Sequence, residues 1–417
     1  MAVMNRKPNR SRTTRAARTT HAARADVRAD TRATGAERRV TAAPSPAAGD
    51  APRKPDGLPG QVVLVLQGGG ALGAYQVGIY QALHEAGIEP DWVIGTSIGA
   101  INAALIAGNP PAQRLERLDA FWSQMQQGGL WPGLGHDIFG FARATANWMT
   151  VMRGIPGFFE PNVHAWAGPR AEVGVEQAAY YSTEPLRTTL HRLVDFDYLC
   201  RCATRMTVGA VNVRSGHMRY FDNRDEPIGV DHVMASGALP PAFGAIRIGD
   251  EPYWDGGIYS NTPIEAVLDD RPRRNALIFA VNVWHQSAPE PMSLQQVTAR
   301  QKDIQYASRA DSHIARQKQI HRLRHVIREL HKQMPAALRD DPAVKELADY
   351  GCGTTMHVAH LLAPRVDGED QTKDIDFTPT GVRARRDAGY ADAMRMIRRA
   401  PWRDFDPHTI EGVIEHV

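Results

Sequence analysis

The chain has 417 residues, 43% hydrophobic and 23% charged, with a formal net charge of +3 at pH 7. That size and apolar content provide one large core or two ordinary ones and exclude a miniature domain that needs staples to fold. Three cysteines (Cys200, Cys202 and Cys352) form no Cys-x-x-Cys pair, so neither a disulfide framework nor a structural zinc site is expected, and a reducing, cytoplasmic setting is the default.

The charge averages two unlike regions. Residues 1–57 hold 13 Lys/Arg against 5 Asp/Glu and contain no Leu, Ile, Phe, Tyr or Trp. Such a segment cannot bury enough apolar area to offset chain entropy, so a disordered basic tail is expected. No apolar run follows its basic start, and a secretory signal is not expected. The tail reads as a solvated arm; a nucleic-acid partner is not expected, and peripheral contact with an anionic membrane is the competing role.

Gln61-Val62-Val63-Leu64-Val65-Leu66 is a continuous β-branched and aliphatic run, the pattern of a strand buried on both faces. After Gly68-Gly69-Gly70-Ala71-Leu72-Gly73, the residues Tyr75, Ile79, Ala82, Leu83 and Ala86 recur at helical spacing until Gly87. Trp92-Val93-Ile94-Gly95 reads as a second strand, and a small-residue helix follows through Ala107. The uncharged stretch from Trp92 to Gln113 is rich in Gly, Asn and Pro, so no membrane span is assigned. A βαβα start implies a parallel sheet with helices on both faces.

Gly68-x-Gly70-x-x-Gly73 formally matches a dinucleotide fingerprint, but the second strand ends in Gly95-Thr96-Ser97 rather than in the acidic residue that would hold a ribose. The second loop explains the first better. Gly95-x-Ser97-x-Gly99, between a strand and a helix, is a nucleophile elbow, and an acyl-transfer serine needs backbone N–H donors aimed at the developing oxyanion. The Gly68–Gly70 loop, at the end of the adjacent strand, can supply them. Ser97 lies only 31 residues beyond Leu66, too early for the usual α/β-hydrolase plan.

Together with Asp255-Gly256-Gly257 and the segment Ala235 to Phe243, these motifs make the chain resemble the patatin-like phospholipases, over about Val62 to Pro263. The resemblance implies a three-layer α/β/α fold with a mainly parallel sheet. It also implies a Ser–Asp dyad of Ser97 and Asp255, an oxyanion hole at Gly68, Gly69 and Gly70, a lipid ester substrate, and no metal or organic cofactor. Leu72 stands where many members carry Arg or Lys, leaving the hole to backbone dipoles. A catalytically weak lipid-binding or regulatory protein with the same fold is therefore the alternative.

Asp255 closes a strand-like run before a glycine turn, where partial burial would raise its pKa and improve it as a base. His285, Asp231 and His232 are left outside the site. Residues 58–290 read as the catalytic domain, with an aromatic-rich helical insertion at about 115–175 that either packs in the core or receives acyl chains. Residues 291–417 read as a mostly helical extension, and they resemble the C-terminal region of one bacterial patatin-like branch. Within it, Arg300 to Lys332 holds nine Lys/Arg against three Asp/Glu, with Ile320, Leu323, Ile327, Leu330 and Met334 as the apolar stripe of one basic amphipathic helix. That helix is expected to pack on the body or a second subunit, with anionic lipid as the other surface. Thr355 to Leu362 is expected as a strand and Thr380 to Arg399 as a helix.

Overall fold

The computed structural model describes residues 55–126, 153–307, 310–365, 369–404 and 412–417, which belong to one compact unit. Nearly all of the basic tail, and Trp131, Phe139, Phe141 and Trp148 of the aromatic-rich stretch, lie outside the described residues. The strands are β1 (Gln61–Leu66), β2 (Trp92–Gly95), β3 (Glu160–Pro161), β4 (Tyr181–Ser182), β5 (Arg205–Asn212) and β6 (Met218–Asp222). They continue with β7 (Ile246–Ile248), β8 (Glu251–Asp255), β9 (Ala276–Asn282), β10 (Met356–Leu362) and β11 (Val413–His416).

Nine of these strands form one sheet in the order β11-β10-β9-β1-β2-β5-β8-β7, with β6 also paired to β5; β3 and β4 form a separate ribbon. Pairings from β11 through to β5 are parallel, while β6, β7 and β8 join antiparallel. Strand alternation sorts β1 between two cores. Val62, Leu64 and Leu66 face helices α1 (Ala74–Glu85) and α2 (Ile98–Ala107), whereas Val63 and Val65 face Ile264, Val267, Leu268 and Ile314. These β1 side chains have no exposed surface, and each stabilises the fold by about 1.5–3 kcal/mol. The result is the mixed, mostly parallel α/β/α sandwich that the strand–helix alternation implies.

The C-terminal region completes this sandwich. β10 pairs with β9 and β11 with β10, so residues far along the chain extend the sheet begun at Gln61. Helix Pro379–Arg399 packs along α1 at a crossing made by two glycines. A Cβ at Gly78 would sit 1.9 Å from the Arg386 carbonyl oxygen, and one at Gly389 would sit 2.0 Å from that of Tyr75.

The basic segment corrects an expectation. It forms two helices, Leu294–Ala307 and Ala310–Gln333, rather than one. The second buries Ile314, Gln317, His321 and His325, while Leu323 and Leu330, placed by hydropathy on the packed stripe, are 64% and 56% exposed. Polar pairing chooses this face. His321 Nε2 donates to the Leu268 carbonyl at 3.3 Å, His325 Nε2 to that of Thr354 at 2.8 Å, and Gln317 Nε2 to Asp269 at 2.7 Å. No helix among the described residues is long and apolar enough to cross a membrane.

The helix crossing yields a stability prediction. Gly78→Val forces a branched side chain into a backbone carbonyl and should destabilise the protein by about 2 kcal/mol or more. A conservative exposed change, Glu346→Gln, should leave the midpoint unchanged. Equal denaturant midpoints for Gly78→Val and the parent protein would contradict the crossing.

Candidate active site

At the end of β2 the chain turns sharply into α2 through Ser97, whose φ of 56° is a left-handed conformation that a non-glycine residue seldom adopts. The flanking glycines permit the turn by close approach. A Cβ at Gly95 would lie 2.2 Å from the Gly99 carbonyl oxygen, and one at Gly99 would lie 2.2 Å from that of Leu66. The Ser97 N–H donates to the carbonyl and the hydroxyl of Ser236, each at 3.1 Å, and this pins the elbow from the side. Buried Ser236 is anchored in turn to the Gly209 carbonyl at 2.7 Å.

Register brings Asp255 to the same point. One edge of β5 pairs with β6 from Thr207 to Val211. The other edge must then take both β2, which ends at Gly95 opposite Val208, and β8, whose Asp255 sits opposite Ala210. Asp255 therefore lands just beyond the point where β2 breaks into the elbow. Asp255 is 2% exposed, its carboxyl accepts from the Gly257 N–H at 2.7 Å, and it shares a pocket wall with Ser97. Burial pushes its pKa up from 3.8 to about 7, against the lowering effect of the Gly257 N–H and the nearby Ser97 hydroxyl.

The glycine loop faces this pair. Gly68, Gly69 and Gly70 line a pocket of about 220 Å³ together with Ser97 and Asp255. The Gly68 N–H is tied to the Asn261 carbonyl at 3.1 Å. At Gly70 φ is +56°, and a Cβ there would meet the Asp374 carbonyl oxygen at 2.2 Å, so the extension lies directly on the loop. Leu72 is 4% exposed and packs in the hydrophobic core.

The rest of the pocket is apolar, with Ile101, Phe158, Phe159, Leu186, Phe243 and Phe377 in its wall. Phe158 sits edge-on to Phe377 at 6.1 Å, and Phe159 lies 5.4 Å from Phe243. Of the aromatic-rich stretch, Phe121 and Trp122 are core residues on the helix Pro111–Gln126, Phe158 and Phe159 reach the pocket, and Trp166 is exposed. Two wider clefts, about 610 and 400 Å³, open at the opposite end of the sheet around Trp92, Arg205 and Asp270. Their greater volume does not make them the site, because neither is lined by the elbow serine, Asp255 or the glycine loop.

His285 lies outside the pocket lining, and burial lowers its pKa. His232 accepts the Gly229 N–H at 3.0 Å at the start of its helix, and Asp231 pairs with Arg187 at 2.5 Å. Sequence reasoning missed Asn261, Trp284, Tyr306 and Phe377, all of which line the pocket. Asn261, six residues beyond Asp255, was within reach of a motif-based reading, whereas the other three carry no local signal.

Residues 64–268 match the sequence family described as "Patatin-like phospholipase", and residues 304–409 match one described as "Patatin phospholipase". The chain belongs to the patatin-like phospholipase family. Among curated relatives, "Lysophospholipase nte1" of Aspergillus terreus is 54% identical over 66 residues, which cover 16% of this chain and 4% of that one. "Patatin-like phospholipase domain-containing protein 6" of Mus musculus is 41% identical over 73 residues, 18% of this chain and 5% of that one. The patatin-like chain thus matches only about a twentieth of those relatives' length. A solved structure, VipD from Legionella pneumophila, aligns with 83% of this chain and 69% of its own at 16% identity and a TM-score of 0.34. At that score the likeness carries no argument.

The raised Asp255 pKa predicts a pH-dependent stability. The folded state holds the Asp255 proton more tightly than the unfolded state. This contribution is therefore complete below pH 3.8 and lost as pH rises through about 7. Asp255→Asn removes the ionisation, so its melting temperature relative to the parent should climb between pH 5 and pH 8. Calorimetry that shows a pH-independent difference would exclude a raised pKa.

Proposed function

We propose that this patatin-like protein is a serine hydrolase of lipid carboxylic esters, with Ser97 as nucleophile and Asp255 as general base. The observation that carries the reading is that the elbow serine Ser97 and the buried Asp255 converge on the wall of one apolar pocket, beside the glycine loop. Family membership supports the substrate class, since the described families are phospholipases.

The chemistry needs only side chains, main chain and water. Ser97 Oγ attacks the ester carbonyl carbon while its proton passes to the Asp255 carboxylate. The tetrahedral oxyanion takes hydrogen bonds from the Gly68–Gly70 loop. Collapse breaks the bond to the leaving alcohol, which takes the proton from Asp255, and leaves an acyl-enzyme on Ser97. Water then gives its proton to Asp255 and attacks the acyl carbon, and a second collapse releases the fatty acid and returns the proton to Ser97. With a pKa of about 7, Asp255 is a far better base than an ordinary carboxylate and is still half ionised near neutrality. The aromatic and aliphatic wall fits an acyl chain.

The activity is tested by fluorophosphonate labelling of the intact protein, with the modified peptide identified by mass spectrometry. Ser97 should be labelled and Ser97→Ala should not. A folded protein left unlabelled at Ser97 would end the nucleophile assignment and favour a role in lipid binding alone. Turnover of a soluble ester should rise with pH through about 7 to a plateau, because Asp255 must be ionised to act. Asp255→Asn should lower kcat by about 10²–10⁴-fold across that range.

A further inference from the structure

The carbonyl of Gly68 accepts two side-chain hydrogen bonds, one from the Trp284 indole N–H at 2.7 Å and one from the Asn261 amide at 3.0 Å. Both donors are buried, at 3% and 8% exposure. A planar trans peptide carries its C=O and N–H on opposite edges. Holding the Gly68 oxygen against Trp284 and Asn261 therefore turns the Gly69 N–H the other way. That N–H has no acceptor among the described residues, and Gly69 is only partly buried, so the donor is left available to the pocket. The loop that carries it lines the pocket with Ser97.

The two donors are themselves held. Asn261 Nδ2 also bonds the Tyr306 carbonyl at 3.2 Å. Gln67 Oε1 accepts the main-chain N–H groups of Val283 and Trp284 at 2.5 and 3.1 Å. The Trp284 ring packs on Tyr306 with centroids 5.0 Å apart, and Lys373 Nζ, paired with Asp303 at 2.6 Å, lies 5.0 Å from the indole centroid. Trp284 thus has no freedom to turn its N–H elsewhere. Two donors on one carbonyl also polarise the peptide, and this makes the N–H at its far end a stronger donor.

We infer that Trp284 and Asn261 are positioning residues of the oxyanion hole: they orient the Gly68–Gly69 peptide so that the Gly69 N–H points at the oxyanion formed on attack by Ser97. The inference rests on the acyl-hydrolase reading above. It also gives the buried Leu72 a consequence. The loop residue at that position adds no positive charge, so the hole depends on uncharged donors, and their strength is set by how well they are aimed.

The test uses the full chain, a soluble acyl ester, and a trifluoromethyl ketone analogue that forms an oxyanion on the nucleophile. Trp284→Phe and Asn261→Ala each remove one donor. Trp284→benzothienylalanine, introduced by genetic code expansion, keeps the bicyclic shape and replaces the N–H with sulfur, so it serves where a smaller ring loosens the fold. Each change should lower kcat by about 10-fold or more. KM should stay within about twofold, and ketone affinity should weaken by the same factor as kcat/KM. A packing role alone would move KM and melting temperature without this matched loss, and that result would overturn the inference. So would parental kcat and ketone affinity in the benzothienyl variant. If the parent protein is labelled at Ser97 and turns over while these variants match it, only the positioning role falls. If the parent neither labels nor turns over, the hydrolase reading falls and takes the inference with it.

Discussion

A carboxyl group with 2% exposure at the end of β8 sets the terms for the rest of the site. Removing Asp255 from water disfavours its charge, and only the Gly257 N–H and the Ser97 hydroxyl act to lower its pKa. The balance leaves a group that can take and return a proton near neutrality. In the proposed reaction Asp255 must keep its approach to Ser97, which calls for stiff surroundings. The β5 edge provides that stiffness by pairing first with β2 and then with β8. The left-handed Ser97 costs about 1–3 kcal/mol, offset by the packing of Gly95 on Gly99 and by the bonds its N–H donates to Ser236.

The C-terminal region belongs to this site rather than following it. β10 and β11 widen the sheet, helix Pro379–Arg399 lies on α1, and the loop around Asp374 rests against Gly70. Tyr306 offers its carbonyl to Gln67 and Asn261 and its ring to Trp284. Burial, with Asp255 and Asp374 nearby, pushes the Tyr306 phenol up to about 12, so it stays neutral beside Asp255. Phe377 closes the pocket by stacking on Trp122 at 6.1 Å and meeting Phe158. A segment whose own sequence carries no catalytic signature thus supplies a wall of the pocket and the backing of the glycine loop.

The legible parts share a short range. The β1 run, the elbow at Ser97 and the strand end at Asp255 are each written in fewer than ten residues, because steric fit and local hydrogen bonding dictate them. The basic segment departs from its hydropathy pattern for the opposite reason. Hydropathy favours Leu323 and Leu330, but the packed face of Ala310–Gln333 was chosen by carbonyls and carboxylates at Leu268, Thr354 and Asp269 that only a folded neighbour presents. Polar side chains with partners can outweigh apolar ones without them.

By itself the sequence determined the parallel α/β/α plan, the family, the candidate serine and aspartate, and the glycine loop beside them, since each follows from local periodicity or from a contiguous motif. Only the tertiary structure decided that β2 and β8 share one edge of β5, that Phe377 faces the pocket, and that Trp284 and Asn261 grip the Gly68 carbonyl from 216 and 193 residues away. Hydrogen bonds across such distances in the chain leave no periodic trace, because their geometry exists only once the sheet has brought the partners together.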